Sequence, residues 1–259
     1  MKKLVKLIAC AAVVAMPLAA SAADPIHFGV AAEPYPPFAE KSSDGEWHGF
    51  EIDLIHDLCK RMATECVIDE VAWDGIIPAL LAKKIDVIFA SMSITEERQK
   101  QIAFSDAYYD TPVGIAAPES MEITLSKEGM EGKAIGVQVS TVSSAYLDKY
   151  YAAVADVRHY DTQDSVNADL EAGRIDMMMA DATAVDAFVK SDGAKAAGLV
   201  KKMEVPHDPL FGNGVGAGLR KEDTELKAKL DTAIEAMLAT PEYEQLSEKY
   251  FGFSVKPKM

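Results

Sequence analysis

Two nine-residue segments of this chain follow one plan. Ala82-Lys83-Lys84-Ile85-Asp86-Val87-Ile88-Phe89-Ala90 and Ala172-Gly173-Arg174-Ile175-Asp176-Met177-Met178-Met179-Ala180 each read as a helix end, basic residues, Ile-Asp, and an apolar run. A short apolar run without alternation is the mark of a strand buried on both faces. Gly173 suits the left-handed residue that ends a helix. The plan occurring twice predicts two related α/β lobes rather than one large domain.

The surrounding sequence supports the same reading. A strand Ile26-His27-Phe28-Gly29-Val30 precedes a Pro-rich turn, Glu33 to Phe38. A helix is expected from about Glu51 to Met62, with Leu54, Ile55 and Leu58 on one face. A strand near Val67–Val71 and a helix from about Gly75 to Ala82 follow. The second half opens alike, with strand Ala134–Val139 and a helix that Ser140-Thr141 can cap, running to about Tyr151. Tyr109–Gly114 is read as the join between the lobes, and Val205–Gly212 as the return. Gly214-Val215-Gly216-Ala217-Gly218 lacks the spacing and helix start of a dinucleotide loop and reads as a closely packed strand. Helices from Glu222 to Ala239 and after Pro241 close the chain.

The beginning of the chain sets the expected compartment. Lys2, Lys3 and Lys6 precede an apolar run from Leu7 to Ala20, and Ala20-Ser21-Ala22 fits a signal cleavage site. Residues 1–23 are therefore expected to be removed and the protein to be periplasmic. Leu7-Ile8-Ala9-Cys10 sits too early for a lipoprotein box. Losing three lysines takes the formal charge from −15 to about −18, which argues against nucleic acid as a partner. No later apolar run reaches the ~18–20 residues of a membrane helix. The two cysteines that remain, Cys59 and Cys66, suggest a disulfide in an exported protein. A metal site, the alternative, lacks a second cysteine pair, and the five histidines are scattered along the chain.

The stretch most informative about chemistry is Ser91-Met92-Ser93-Ile94-Thr95-Glu96-Glu97-Arg98. It leaves the first Ile-Asp strand at its carboxyl end and opens a helix. Strand carboxyl ends are where open α/β sheets bind ligands. Arginine there offers a planar fork matching a carboxylate, with hydroxyls and backbone N–H groups beside it.

Taken in order, Tyr35-Pro36-Pro37-Phe38, Gly49-Phe50-Glu51-Ile52-Asp53-Leu54, Ser91-Met92-Ser93-Ile94-Thr95 with Arg98, Ala103-Phe104-Ser105-Asp106, Gly136-Val137-Gln138, Ala172–Asp176 and Gly218-Leu219-Arg220-Lys221 resemble a known family. It is the polar amino-acid class (family 3) of periplasmic solute-binding proteins that serve ATP-driven (ABC) importers. The resemblance covers essentially the whole mature chain and is greatest to lysine/arginine/ornithine-, histidine- and opine-binding proteins. It implies a two-lobe (type II) α/β fold, each lobe a mixed sheet flanked by helices, joined by two hinge strands. Lobe 1 would take residues 24–110 and 208–259, and lobe 2 residues 111–207. It also implies a Cys59–Cys66 disulfide, as in the basic amino-acid branch, no cofactor, no catalytic or metal residues, a monomer, and a membrane permease as partner.

The resemblance assigns roles by position. Arg98 would grip the ligand's α-carboxylate, with Thr141 and the N–H groups opening its helix taking the same group from lobe 2. Asp181 would accept the α-ammonium. Ser91 and Ser93, with Met92 between them, would add a carbonyl and a hydroxyl; Gln138 and Ser140 complete the set. Tyr35 and Trp73 would stack on the ligand's side chain. Glu33, if it points inward, would meet a distal cation; if outward, another polar amino acid fits. Plainer readings stand beside these: Arg98 as a surface residue, Asp181 or Ser140 as caps, Tyr35 and Trp73 as packing, Asp161 and Asp164 as caps or solvated charge. Val139, where the family commonly has glycine, would narrow the pocket. The enzymatic rival is a dehydratase of cyclohexadienyl acids, which needs a general acid, with Glu33 its one obvious candidate, and a third reading is a sensor module that presents its ligand to a receptor.

Overall fold

A computed structural model describes residues 24–257. The expected signal segment lies outside the described residues. Twelve strands form two five-stranded sheets and one short hairpin. The first sheet is built from β1 (Ile26–Ala31), β4 (Cys66–Val71), β5 (Val87–Ile88) and β6 (Ala103–Tyr109), with β2 (Glu40–Lys41) and β3 (Trp47–His48) forming the hairpin. The second takes β7 (Val113–Pro118), β8 (Ala134–Gln138), β9 (Asp156–Tyr160), β10 (Met177–Asp181) and β11 (Leu199–Glu204). The last strand, β12 (Val215–Leu219), returns to the first sheet.

The two sheets share one topology, with orders β4-β1-β5-β12-β6 and β9-β8-β10-β7-β11. In each, three parallel strands are followed by one antiparallel strand, β12 or β7, that enters from the other lobe. The chain thus crosses between lobes twice, from β6 to β7 through Asp110-Thr111-Pro112 and from β11 to β12 through residues 205–214. Both faces of each sheet are covered by helices, giving four apolar clusters.

The repeated Ile-Asp segment does the same job in each lobe. The N–H of Asp86 donates to the His27 carbonyl at 2.8 Å and the Asp86 carboxylate accepts the His27 N–H at 3.1 Å. Asp176 repeats both bonds with Ala134, each at 2.8 Å. The preceding isoleucine fills the space a neighbouring glycine leaves. A Cβ on Gly29 would lie 2.3 Å from Ile85 Cδ1, and one on Gly136 2.4 Å from Ile175 Cδ1. Among the described residues lobe 1 alone adds a cation: buried Arg220 donates to the Leu80 and Ile85 carbonyls and pairs with Asp86 and Asp223.

Several sequence expectations need adjusting. The run Ile85–Ala90 makes ladder pairs only at Val87–Ile88, although the Phe89 N–H still reaches the Gly29 carbonyl. Thr141, not Ser140, caps the helix Val142–Tyr150, accepting from the Ser144 N–H. Thr162, not Asp161 or Asp164, caps the helix Gln163–Glu171. Cys59, on the helix Phe50–Met62, bonds to Cys66 at the start of β4 and ties that helix to the sheet.

Candidate functional site

The carboxyl ends of the parallel strands of both sheets face one cleft, and it holds a partly open cavity of about 90 Å³. That is room for several waters or for one small zwitterion. From lobe 1 it receives Glu33, Tyr35, Trp73, Ser91, Ser93 and Arg98. From lobe 2 come Gln138, Thr141 and Asp181.

Two residues expected at the site are not brought to it. Met92 is 1% exposed and packs in the apolar cluster of Ile76, Leu80 and Ile88. Strand alternation explains this: with Ser91 and Ser93 facing the cleft, the residue between them faces the core. Ser140, at a φ of 59°, does not line the cavity, and it is its carbonyl that reaches lobe 1 by accepting from Arg98. Val139 likewise does not line the cavity; its carbonyl, not its side chain, meets lobe 1.

Arg98 sits in the short helix Glu96–Gln99, whose cap Thr95 accepts the Arg98 N–H. Its guanidinium spans the cleft, donating to the Ser93 carbonyl and, across the lobes, to the Ser140 carbonyl, both at 2.9 Å. Burial lowers its pKa to about 10, so it stays cationic at neutral pH. Thr141 presents the free end of a capped helix to the same region.

Asp181 caps the helix Ala182–Phe188 and still faces the cavity, so the two readings of this residue are compatible in one geometry. Oδ1 accepts the Thr183 N–H at 2.8 Å and the Thr183 hydroxyl at 2.6 Å, while Oδ2 accepts the hydroxyl of Thr111 from the lobe junction. Burial pushes its carboxyl pKa up, opposed by these donors.

Tyr35 ends a ring stack that runs through Phe38 to Tyr109, with centroid spacings of 5.6 and 5.1 Å. Trp73 opens a tight turn before the helix Ile76–Leu81. Its ring lies 5.5 Å from Arg98 Cζ, and its indole N–H donates to the Val139 carbonyl at 3.0 Å. Glu33 lines the cavity and accepts the Trp73 backbone N–H at 3.3 Å.

Sequence reasoning missed Glu51. It is 1% exposed, borders the cavity, and accepts the Ser91 N–H and hydroxyl and the Tyr108 hydroxyl. Burial is the largest influence on its carboxyl and raises the pKa to about 7 against these donors. A signal existed: residues 51, 54, 55 and 58 fall on one helix face, so this acid sits on the apolar side.

The chain matches the family described as bacterial extracellular solute-binding proteins, family 3, over residues 26–253. It belongs to that family. It is 38% identical to an L-arginine-binding protein of Pseudomonas aeruginosa over 258 residues, covering 98% of both chains. It is 39% identical to the histidine-binding periplasmic protein of Escherichia coli, covering 98% of this chain and 99% of that one. Among solved structures, an ancestral arginine-binding protein bound to arginine superposes with a TM-score of 0.80 at 33% identity, covering 88% of this chain and 98% of that one. The type II two-lobe α/β fold follows, and with it an amino-acid solute-binding role. Among the described residues no helix is long and apolar enough to cross a membrane.

Proposed function

We propose that this protein captures a cationic L-amino acid, of the arginine, lysine, ornithine or histidine type, by closing its lobes around it. The observation that carries this is an excess of acid at the cavity. Its lining holds Glu33, Glu51, Asp110 and Asp181 against the single cation Arg98. The ligand's carboxylate would pair with Arg98 and the Thr141 helix start, and its ammonium with Asp181. Glu33 and Glu51 then remain for a second positive charge, and a desolvated charge without a partner is costly. Relatives that bind arginine and histidine support the same class.

Capture follows from geometry that needs both lobes. Arg98 and Asp181 stand on opposite sides of the cleft, so a ligand touching both favours the closed state by its differential affinity. Delivery of the closed form by a monomer to an ABC permease, after export through a cleaved signal segment, completes the reading. Binding rather than catalysis fits a site built around a complete amino-acid clamp. An opine is disfavoured, because its additional carboxylate meets no second Lys or Arg in the described lining of this cavity.

Calorimetric titration of refolded protein with arginine, lysine, ornithine, histidine, glutamine and octopine tests the proposal. Tight binding of a cationic member, with glutamine at least about tenfold weaker, is expected, one missing charge contact being worth at least that. Preference for glutamine or octopine overturns it.

A further inference from the structure

We infer that Trp73 is a positioning residue: its indole N–H fastens lobe 1 to lobe 2, and its ring holds Arg98 in the cleft. This rests on the closure reading above and goes beyond ligand stacking. Trp73 Nε1 donates to the carbonyl of Val139, 66 positions further along the chain and in the other sheet, at 3.0 Å. The neighbouring Ser140 carbonyl takes Arg98 at 2.9 Å. Two successive carbonyls of lobe 2 therefore accept from two side chains of lobe 1 that touch each other.

The local backbone explains how. Ser140 has a φ of 59°, a conformation disfavoured for any residue with a side chain, directly after β8. This turn presents both carbonyls to the cleft. On the other side, Trp73 is held at its own N–H by Glu33 at 3.3 Å, and its ring faces the Arg98 guanidinium at 5.5 Å. A cation over an aromatic face in a partly desolvated site is attracted by the ring's quadrupole. Arg98 is thus held within lobe 1 by the Ser93 carbonyl and the Trp73 ring, and takes the Ser140 carbonyl of lobe 2 as a third contact in the closed form. Phenylalanine supplies the ring without the donor; leucine supplies neither.

The test compares Trp73→Phe and Trp73→Leu with wild type by calorimetric titration with arginine. Trp73→Phe is expected to weaken binding about fivefold, the effect of one net hydrogen bond, and Trp73→Leu to weaken it further. Trp73→Phe binding at wild-type strength overturns the latch and leaves the ring alone as the useful part.

A second readout leaves Trp73 itself unchanged. The chain has two tryptophans, 47 and 73, and Trp47 lies beside Lys41 on the hairpin. In Trp47→Phe protein the Trp73 indole proton is the sole indole signal in a nitrogen-15 spectrum. Saturating arginine is expected to slow its solvent exchange by roughly tenfold or more. Arginine binding with an indole that still exchanges freely overturns the latch alone. Failure of arginine to bind the wild-type protein instead overturns the ligand reading on which the latch rests.

Discussion

Ser91 gives both its backbone N–H and its hydroxyl to Glu51, at 2.8 and 3.0 Å. Ser91 adopts a φ of 53° to do so, and the Tyr108 hydroxyl donates to the same carboxyl. Three donors converge on a group that burial nonetheless keeps half-protonated near pH 7. Asp181 and the hydroxyls of Tyr35, Tyr108 and Tyr109 are the titratable groups coupled to it. A cation entering the cavity would favour the ionised form and release a proton.

Arginine affinity should therefore rise by up to about tenfold between about pH 6 and about pH 8, and Glu51→Gln should flatten that rise. The folded-state pKa lies above the ordinary value of 4.5, so Glu51's contribution to the unliganded fold has the opposite trend. It is fully present below about 4.5 and lost as pH rises through about 7. Calorimetry across that range in two buffers of different ionisation enthalpy measures both affinity and proton release; an unchanged pH profile in Glu51→Gln rules the linkage out.

Arg98→Ala should weaken binding by about 100-fold or more, as expected for two lost charge-assisted bonds. Arg98→Lys should recover little, because a point charge cannot reproduce the planar fork. Titration of the folded variants decides it, and near-wild-type affinity in Arg98→Ala would remove the clamp from the site.

The Cys59–Cys66 bond closes a short loop between a helix end and β4. Replacing both cysteines by alanine should cost about 2–3 kcal/mol by restoring freedom to the unfolded chain. Denaturant melts with and without reductant would show it, with reductant leaving the double variant unaffected.

Gly136→Ala should destabilise lobe 2 by about 1–3 kcal/mol, since the new methyl would meet Ile175 Cδ1 at 2.4 Å. Adding Ile175→Val removes that carbon and should recover part of the loss. Equal melts for the single and double variants would mean the contact is relieved elsewhere.

Much of this was legible in the chain. The twin Ile-Asp segments point to two α/β lobes, and the two-lobe α/β class is borne out. The place of Arg98 on the cavity was readable because it follows an apolar strand at a helix start, whereas Asp181 entered only through the family resemblance. Met92 could have been excluded by counting alternation from Ser91. Glu51 could have been noticed as an acid on an apolar helix face. Ser140 and Val139 were not readable, because a left-handed residue that is not glycine carries no mark in composition. The Trp73 contact with Val139 was beyond reach for a different reason: it joins two lobes whose relative placement no local pattern encodes.

The order of strands also governs the order in which the molecule can be built. Every strand of the second sheet lies within residues 113–204, so that lobe can assemble its core from one uninterrupted length. The first sheet has a gap between β5 and β6 until β12, at residues 215–219, arrives. A chain threaded across a membrane from its N-terminus would emerge with its leading lobe waiting and its second lobe ready first. The long-range pairing that completes lobe 1 would come last and slowest. The binding cleft therefore comes into being only when nearly the whole polypeptide has been delivered.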